Sequence, residues 1–595
     1  MDDVSVSSLD PSQSFFSIVI VHIGIINGHP EPFNQVRFTE VIEQFYHPGS
    51  GLALIHHQKK LKTSLMLIKQ GDRIVSNKKN NHQRGERIMA QGVLPFKYEE
   101  EKKDTGMTAL AGLPVYLDLA YRSGLSETIR RHFQVREGTQ GWTDEQIIFS
   151  LILLNLAGGD CIEDLRKLEG DEGFCKVLRR VELKGLKRKE RRAIERRWRK
   201  ERRRSVPSPS AVFRYLGRFH DPEQEKERKE GKAFIPVPNE HLQGFPKVNG
   251  EFIEFMQRHN PQKTATLDMD ATLVETGKEE AFFSYQGYKA YQPLNTWWAE
   301  QGVILHTEFR DGNVPAGYEQ LRVLKESLKN LPEGVEAVRV RSDTAGYQHD
   351  LLRYCEEGEN ERFGRIEFAI GCDVTKAFKE AVSEVEESDW NPIFKEVKGG
   401  RKKTNREWAE VCFVPNAIAY SKNAPEYRYL AIREPLGQLE LPGMERQPEL
   451  PFPTMKFNRK RYKIFGTVTN MDWEGEELIH WSHKRCGKSE EAHSVMKEDL
   501  AGGKLPSGKF GENGAWWWIM ILALNLNAVM KQLALGKSWV SKRMKAIRFS
   551  FINLPGRVLK RSRGIIVRLV KGHPSMELLL EARRRIMELV PEPSG

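Results

Sequence analysis

Residues 264–273, TATLDMDATL, decide the reading of this chain. Ala265, Leu267 and Met269 alternate with Thr266, Asp268 and Asp270, which is the period of a half-buried strand. Side chains two apart on a strand share a face, so Asp268, Asp270 and Thr272 stand together and either carboxylate can ligate a metal. Two further acids follow, Asp343 in RVRSDTAGY and Glu490 in GKSEEAHSVMKEDL. Each stands where a strand ends or a helix begins. Carboxylates are hard oxygen ligands suited to Mg²⁺, and two such ions about 4 Å apart clamp both the attacking and the leaving oxygen of a phosphodiester. Taken singly, Asp343 is equally well explained as a helix cap, and the Glu490 helix as a solvent-facing one with an ion pair.

Downstream, FFSYQGYKAY and GVILHTEF read as the second and third of three consecutive strands, with a turn at Asp311-Gly312-Asn313. A helix (GYEQLRVLKESL), a strand (AVRVRS), a helix (GYQHDLLRYC) and a strand (RIEFAIG) come next. Three antiparallel strands followed by alternating helix and strand is the order of a ribonuclease-H-like α/β fold, with the Asp270 and Asp343 strands adjacent. Residues 376–475 mix strand-like pieces with a Pro-rich loop and read as an inserted, mostly β subdomain. Residues 476–535 return to helix, where Glu490, His493 and Lys497 at i, i+3 and i+7 share a face. The run WWWIMILALNL from Trp516 is short for a membrane span and carries Asn525 and Asn527, so it reads as a buried core helix.

Upstream, residues 106–245 have helical periodicity. Thr143 and Gln146 form a capping box ahead of IIFSLILLNL, and Gly158 with Gly159 ends that helix. The breaker-free stretch KRKERRAIERRWRKERRR follows, and then Ser208 and Pro209 open SAVFRYLGRF. Short helices beside an arginine-rich one suggest a DNA-binding bundle with a helix-turn-helix element. Residues 1–105 are a polar-ended appendage whose apolar run, Phe15 to Ile26, is too short to span a membrane. The expected architecture is therefore α/β and multidomain: a helical DNA-binding domain (106–245), a ribonuclease-H-like mixed-sheet core (260–375 and 476–535), the β insertion (376–475) and a basic C-terminal segment (536–595).

The net charge is +12. Residues 184–204 carry 13 Lys or Arg against three Glu, and residues 537–571 carry 11 with no acid, so these two segments hold +21 and the rest of the chain −9. That partition fits dedicated grips on phosphate backbones, although two solvated helix faces have the same composition. Six cysteines without a CxxC pair argue against a zinc knuckle or a disulfide framework and for a reducing cytoplasm.

On the D-x-T at Asp270-Ala271-Thr272, the strand-end Ser342-Asp343, the helical E-E-x-H-x-x-x-K from Glu490 to Lys497, and spacings of 73 and 147 residues, the chain resembles bacterial insertion-sequence transposases with a DDE triad. The resemblance is to the group with a β-strand insertion before the glutamate, and it covers roughly residues 108–535. It implies that Asp270, Asp343 and Glu490 are catalytic and bind Mg²⁺, with Mn²⁺ as an alternative, while Asp268, Thr272 and Glu491 are neighbours with lesser roles. The family's tyrosine and arginine positions before the glutamate hold His483 and Cys486 here, with Arg485 one place away. DNA contacts are expected from Lys497, His493 and Arg485, and from Arg191, Arg192, Arg196, Arg197 and Arg214 in the helical part. The implied partners are the element's terminal inverted repeats and target DNA, held by a homodimer or larger synaptic complex, with no membrane, in the bacterial cytoplasm at the nucleoid. Two rival readings remain: a ribonuclease-H-like nuclease that shares every metal ligand but cuts without joining, and a domesticated DNA-binding protein that uses the helical and basic parts only, against which the intact triad argues.

Overall fold

The computed structural model describes residues 103–136, 141–200, 204–415, 426–437, 450–458, 460–485, 488–561 and 564–590. The apolar run from Phe15, the Arg197 side chain and Cys486 lie outside the described residues. The five cysteines within them are all free thiols.

One mixed sheet organises the chain. Its strands are β1 (Thr264–Ala271), β2 (Leu294–Trp298), β3 (Val303–Glu308), β4 (Ala337–Ser342), β5 (Glu367–Cys372), β6 (Asn391–Val397), β7 (Gly400–Val411), β8 (Arg428–Pro435), β9 (Thr454–Phe457) and β10 (Lys460–Thr469). The spatial order is β6-β7-β8-β10-β5-β4-β1-β2-β3, with β9 paired to β10. β1, β2 and β3 run antiparallel in succession, while β4 is parallel to β1 and β5 parallel to β4. β10 then pairs antiparallel with β5, so the strands of 391–469 extend the same sheet.

The second strand is not where the sequence put it. FFSYQGYKAY forms two short strands, Phe282–Phe283 and Lys289–Tyr291, which pair with Val274–Glu275 in a separate small sheet. The strand beside β1 is LNTWW, Leu294–Trp298, whose burial is almost continuous and so shows little alternation.

The helix Phe510–Val529 is long and apolar enough to cross a membrane, yet all of its residues are buried inside the protein. Its two polar interruptions have structural uses. β3 is an edge strand, and an edge exposes unpaired backbone groups. Asn525 accepts from the Ile304 amide at 2.9 Å and donates to the Ile304 carbonyl at 2.8 Å. Asn249 on the helix Gly244–His259 also donates to Ile304 and Leu305 carbonyls, and Asn525 donates to Asn249 at 2.8 Å. Asn527 accepts from the Tyr116 hydroxyl at 2.8 Å.

The helical part forms as its caps dictate. Thr143 and Gln146 make the reciprocal capping box of Asp144–Ala157, and Gly158 ends that helix at φ +98°. Ser208 caps Pro209–Leu216. The basic stretch is the helix Arg188–Lys200. The C-terminal basic segment closes back on this part of the chain. Met107–Thr108, Gly556–Lys560 and Ile565–Arg568 form a three-stranded antiparallel sheet in that order. Some of the segment's arginines have intramolecular partners: Arg548 donates to the Asn155 and Leu156 carbonyls, capping Asp144–Ala157.

Candidate active site

β1 and β4 run in parallel register, pairing Asp268 with Arg341 and Met269 with Ser342. One step beyond the last registered pair stand Asp270 and Asp343, at the same end of neighbouring strands. Strand spacing in a sheet is about 5 Å, so this register brings two carboxylates to one sheet end.

Asp268 is spoken for. The Arg341 guanidinium grips it from both nitrogens, Nε to Oδ1 at 2.5 Å and Nη2 to Oδ2 at 2.8 Å, with both side chains 4% exposed. Arg341 also donates to the Trp481 carbonyl at 2.6 Å and lies over the Trp481 ring. Burial pushes the Asp268 carboxyl up from its ordinary value, and the Arg341 guanidinium opposes that push. Asp268, read from the sequence as a neighbour with a lesser role or an alternative ligand, is thus a buried ion-pair partner of Arg341. Thr272 is buried too, its amide donating to the Pro293 carbonyl at 3.0 Å.

Asp270 meets Arg485, whose Nη1 lies 3.0 Å from Oδ2, with the two side chains 20% and 14% exposed respectively. Arg485 was expected to meet DNA; in this structure it meets a catalytic candidate. Asp343 is exposed, and its Oδ1 accepts from the Ala345 amide at 3.0 Å, capping the short turn Thr344–Gly346. The cap reading is therefore correct and leaves the second oxygen, Oδ2, for a ligand.

Glu490 lies on the helix Lys488–Ser494 and is exposed, as is Glu491. The next turn, Val495–Asp499, is a π-helix, so the expected i, i+3, i+7 stripe loses its 3.6 period before Lys497. Lys497 instead donates to the Leu273 carbonyl at 3.2 Å, which ties this segment to the end of β1. His493 is held down to about 4 by burial, with Lys497 and Arg485 adding to the effect, so its imidazole is neutral at pH 7. Among the described residues no three His, Cys, Asp or Glu side chains are gathered closely enough to hold one metal ion. Asp270 and Asp343 stand at one sheet end, and with Glu490 they do not form such a group of three.

In the helical part, Arg192, Arg196 and Arg214 are exposed and Arg191 is half-buried. Arg196 and Arg214 each donate to a carbonyl four residues earlier in their own helices. The residues missed from the sequence are Arg341 and Trp481. A signal for Arg341 was present: Arg341 follows Asp268 by 73 positions, the separation of Asp343 from Asp270, as parallel register demands.

Comparison with known proteins adds a family and a distant likeness. The family model described as transposase DDE domain group 1 matches residues 101–591. A cryo-EM structure of a piggyBac transposase synaptic complex with hairpin DNA is similar over 82% of this chain and 83% of that one, at 11% identity and a TM-score of 0.38. No curated protein matches the chain.

Proposed function

We infer how this protein works from one premise: the chain belongs to the transposase DDE domain group 1 family, whose model spans residues 101–591. It is a DNA transposase of the bacterial insertion-sequence kind, which cleaves at the element's ends and joins the 3′-hydroxyl ends to target DNA. The observation that carries the reading is the parallel register of β1 and β4, which brings Asp270 and Asp343 to one sheet end. The strand order β3-β2-β1-β4-β5, with its antiparallel first three members, supports a ribonuclease-H-like core, and β6 to β10 are its insertion.

By chemistry Asp270, Asp343 and the exposed Glu490 suit a divalent cation, since they offer only hard carboxylate oxygens, and holding one ion among them requires the three to be drawn together. These three residues would hold Mg²⁺ or Mn²⁺. When bound, such ions activate the attacking oxygen and stabilise the leaving one in an in-line displacement. The chain's own residues do the rest. Asp343 is preset by its cap to the Ala345 amide, so one of its oxygens is fixed while the other stays available. Lys497 holds the Glu490 segment against the end of β1. The neutral His493 ring sits beside Arg485 and Lys497 without adding charge to a site that must accept a phosphodiester. The exposed arginines of Arg188–Lys200 grip the terminal repeats through phosphates, and a dimer or larger assembly brings two ends together at the nucleoid.

The test incubates the full chain with Mg²⁺, a supercoiled target and labelled DNA carrying the element's ends, beside Asp343→Asn. Joined product that vanishes in the variant supports the reading. Cleavage without joining replaces it with a nuclease, and binding without either with a DNA-binding relic.

A further inference from the structure

Arg485 has a job that neither the sequence motifs nor the family reading assigns. We propose that Arg485 is a positioning residue, an internal cation that holds Asp270 in the metal-free protein and must be displaced when a divalent ion takes that carboxylate. The proposal rests on the reading of Asp270 as a metal ligand.

The geometry supports it in three ways. The guanidinium lies 3.0 Å from Asp270 Oδ2 in a place where both side chains are mostly covered, so the pair is better sheltered from solvent than an ordinary surface ion pair. Around it, burial chiefly, with Arg485 adding to the effect, holds the His483 and His493 imidazoles neutral, while the neighbouring Asp268 carboxylate is already gripped by Arg341. A guanidinium and a divalent ion crowded onto one carboxylate repel each other, and the one-plus charge must give way to the two-plus charge. Finally, Arg485 precedes Glu490 by five positions, and no three ligating side chains are gathered among the described residues while the pair is closed. Release of Arg485 and approach of Glu490 are then two aspects of one rearrangement.

The freed guanidinium also acquires a use. It presents five N–H donors in a planar fork at the edge of the site, the geometry that fits phosphate oxygens. Arg485 thus alternates between Asp270 without metal and a DNA phosphate with it, and loading of the ion prepares a contact for the substrate.

The experiment titrates Mn²⁺ alone into the full chain without DNA, reading free ion by its EPR signal, for the wild type, Arg485→Gln, Arg485→Lys and Asp270→Asn. Removing a competitor tightens binding, so Arg485→Gln should bind about five- to tenfold more tightly, and Arg485→Lys should fall between it and the wild type. Asp270→Asn should lose the site. The melting temperature of metal-free Arg485→Gln should fall below the wild type, and added Mn²⁺ should raise it by more. Equal or weaker binding by Arg485→Gln, with the site intact in the wild type, overturns this proposal alone. No saturable site in either protein overturns the metal reading of Asp270 together with it.

Discussion

Replacing Asp268 by Asn separates the two aspartates of the β1 motif by physical cause. Asp268 and Arg341 are each 4% exposed and joined by two hydrogen bonds of 2.5 and 2.8 Å. Removing one charge leaves a buried guanidinium without its counter-ion, for which the cost is about 3–5 kcal/mol. Asparagine keeps the volume and one acceptor, and Arg341 keeps the Trp481 carbonyl, so the lower end, about 3 kcal/mol, is expected. Asp270→Asn breaks a pair whose side chains are 14% and 20% exposed and should cost only about 1 kcal/mol. Urea midpoints followed by tryptophan fluorescence give the comparison, with strand transfer measured on the same preparations at low temperature. Asp268→Asn should unfold early but keep activity while folded; Asp270→Asn should stay folded and lose activity. Replacing both partners by apolar residues, Asp268→Leu with Arg341→Met, should recover most of the lost stability. Equal midpoints for the two single variants would refute the assignment of Asp268 as structural.

Three more outcomes follow from other parts of the molecule. Asn525→Leu leaves the amide and carbonyl of Ile304 on edge strand β3 without that partner and should cost about 2 kcal/mol in the same urea assay. Arg192→Gln with Arg196→Gln should weaken binding to any DNA sequence and lower the salt slope of log K by about 0.9 for each phosphate that is no longer neutralised. His306 is partly buried and its pKa is lowered to about 4 from 6.5, chiefly by desolvation. Its neutral form stabilises the fold fully above pH 6.5, and that contribution is lost as pH falls from 6.5 towards 4, amounting to about 3 kcal/mol. Stability of His306→Gln should therefore fall less steeply across that window.

Much of the sheet and half of the candidate site could be read from the chain. Asp270 was legible because β1 alternates, and Asp343 because Val338 and Val340 mark the strand it ends. The second strand was not, since LNTWW has no apolar–polar alternation in its sequence, while FFSYQGYKAY, rich in aromatic residues, forms a hairpin of the small sheet with Gly287 at φ +83°. The change of helical period before Lys497 was not legible, because a π-turn has no signature at a period of 3.6. The Arg485–Asp270 pair joins residues 215 positions apart, and nothing local announces it. The Asp268–Arg341 pair was available in principle, because the repeated separation of 73 residues is itself the register of two parallel strands.

The small sheet that unites Met107–Thr108 with Gly556–Lys560 sets a timetable for synthesis. Met107 pairs with Arg557, 450 residues later, and at about 5–20 residues per second the ribosome takes roughly 20–90 s to deliver that partner. The buried helix Phe510–Val529, against which Asp144–Ala157 packs, also emerges late. Until then the apolar surface of Asp144–Ala157 waits without its native cover, exposed to chaperones and to neighbouring nascent chains. A chain that stops before Arg557 lacks the strand that Met107–Thr108 pairs with, so the start of the helical part is left with an open edge.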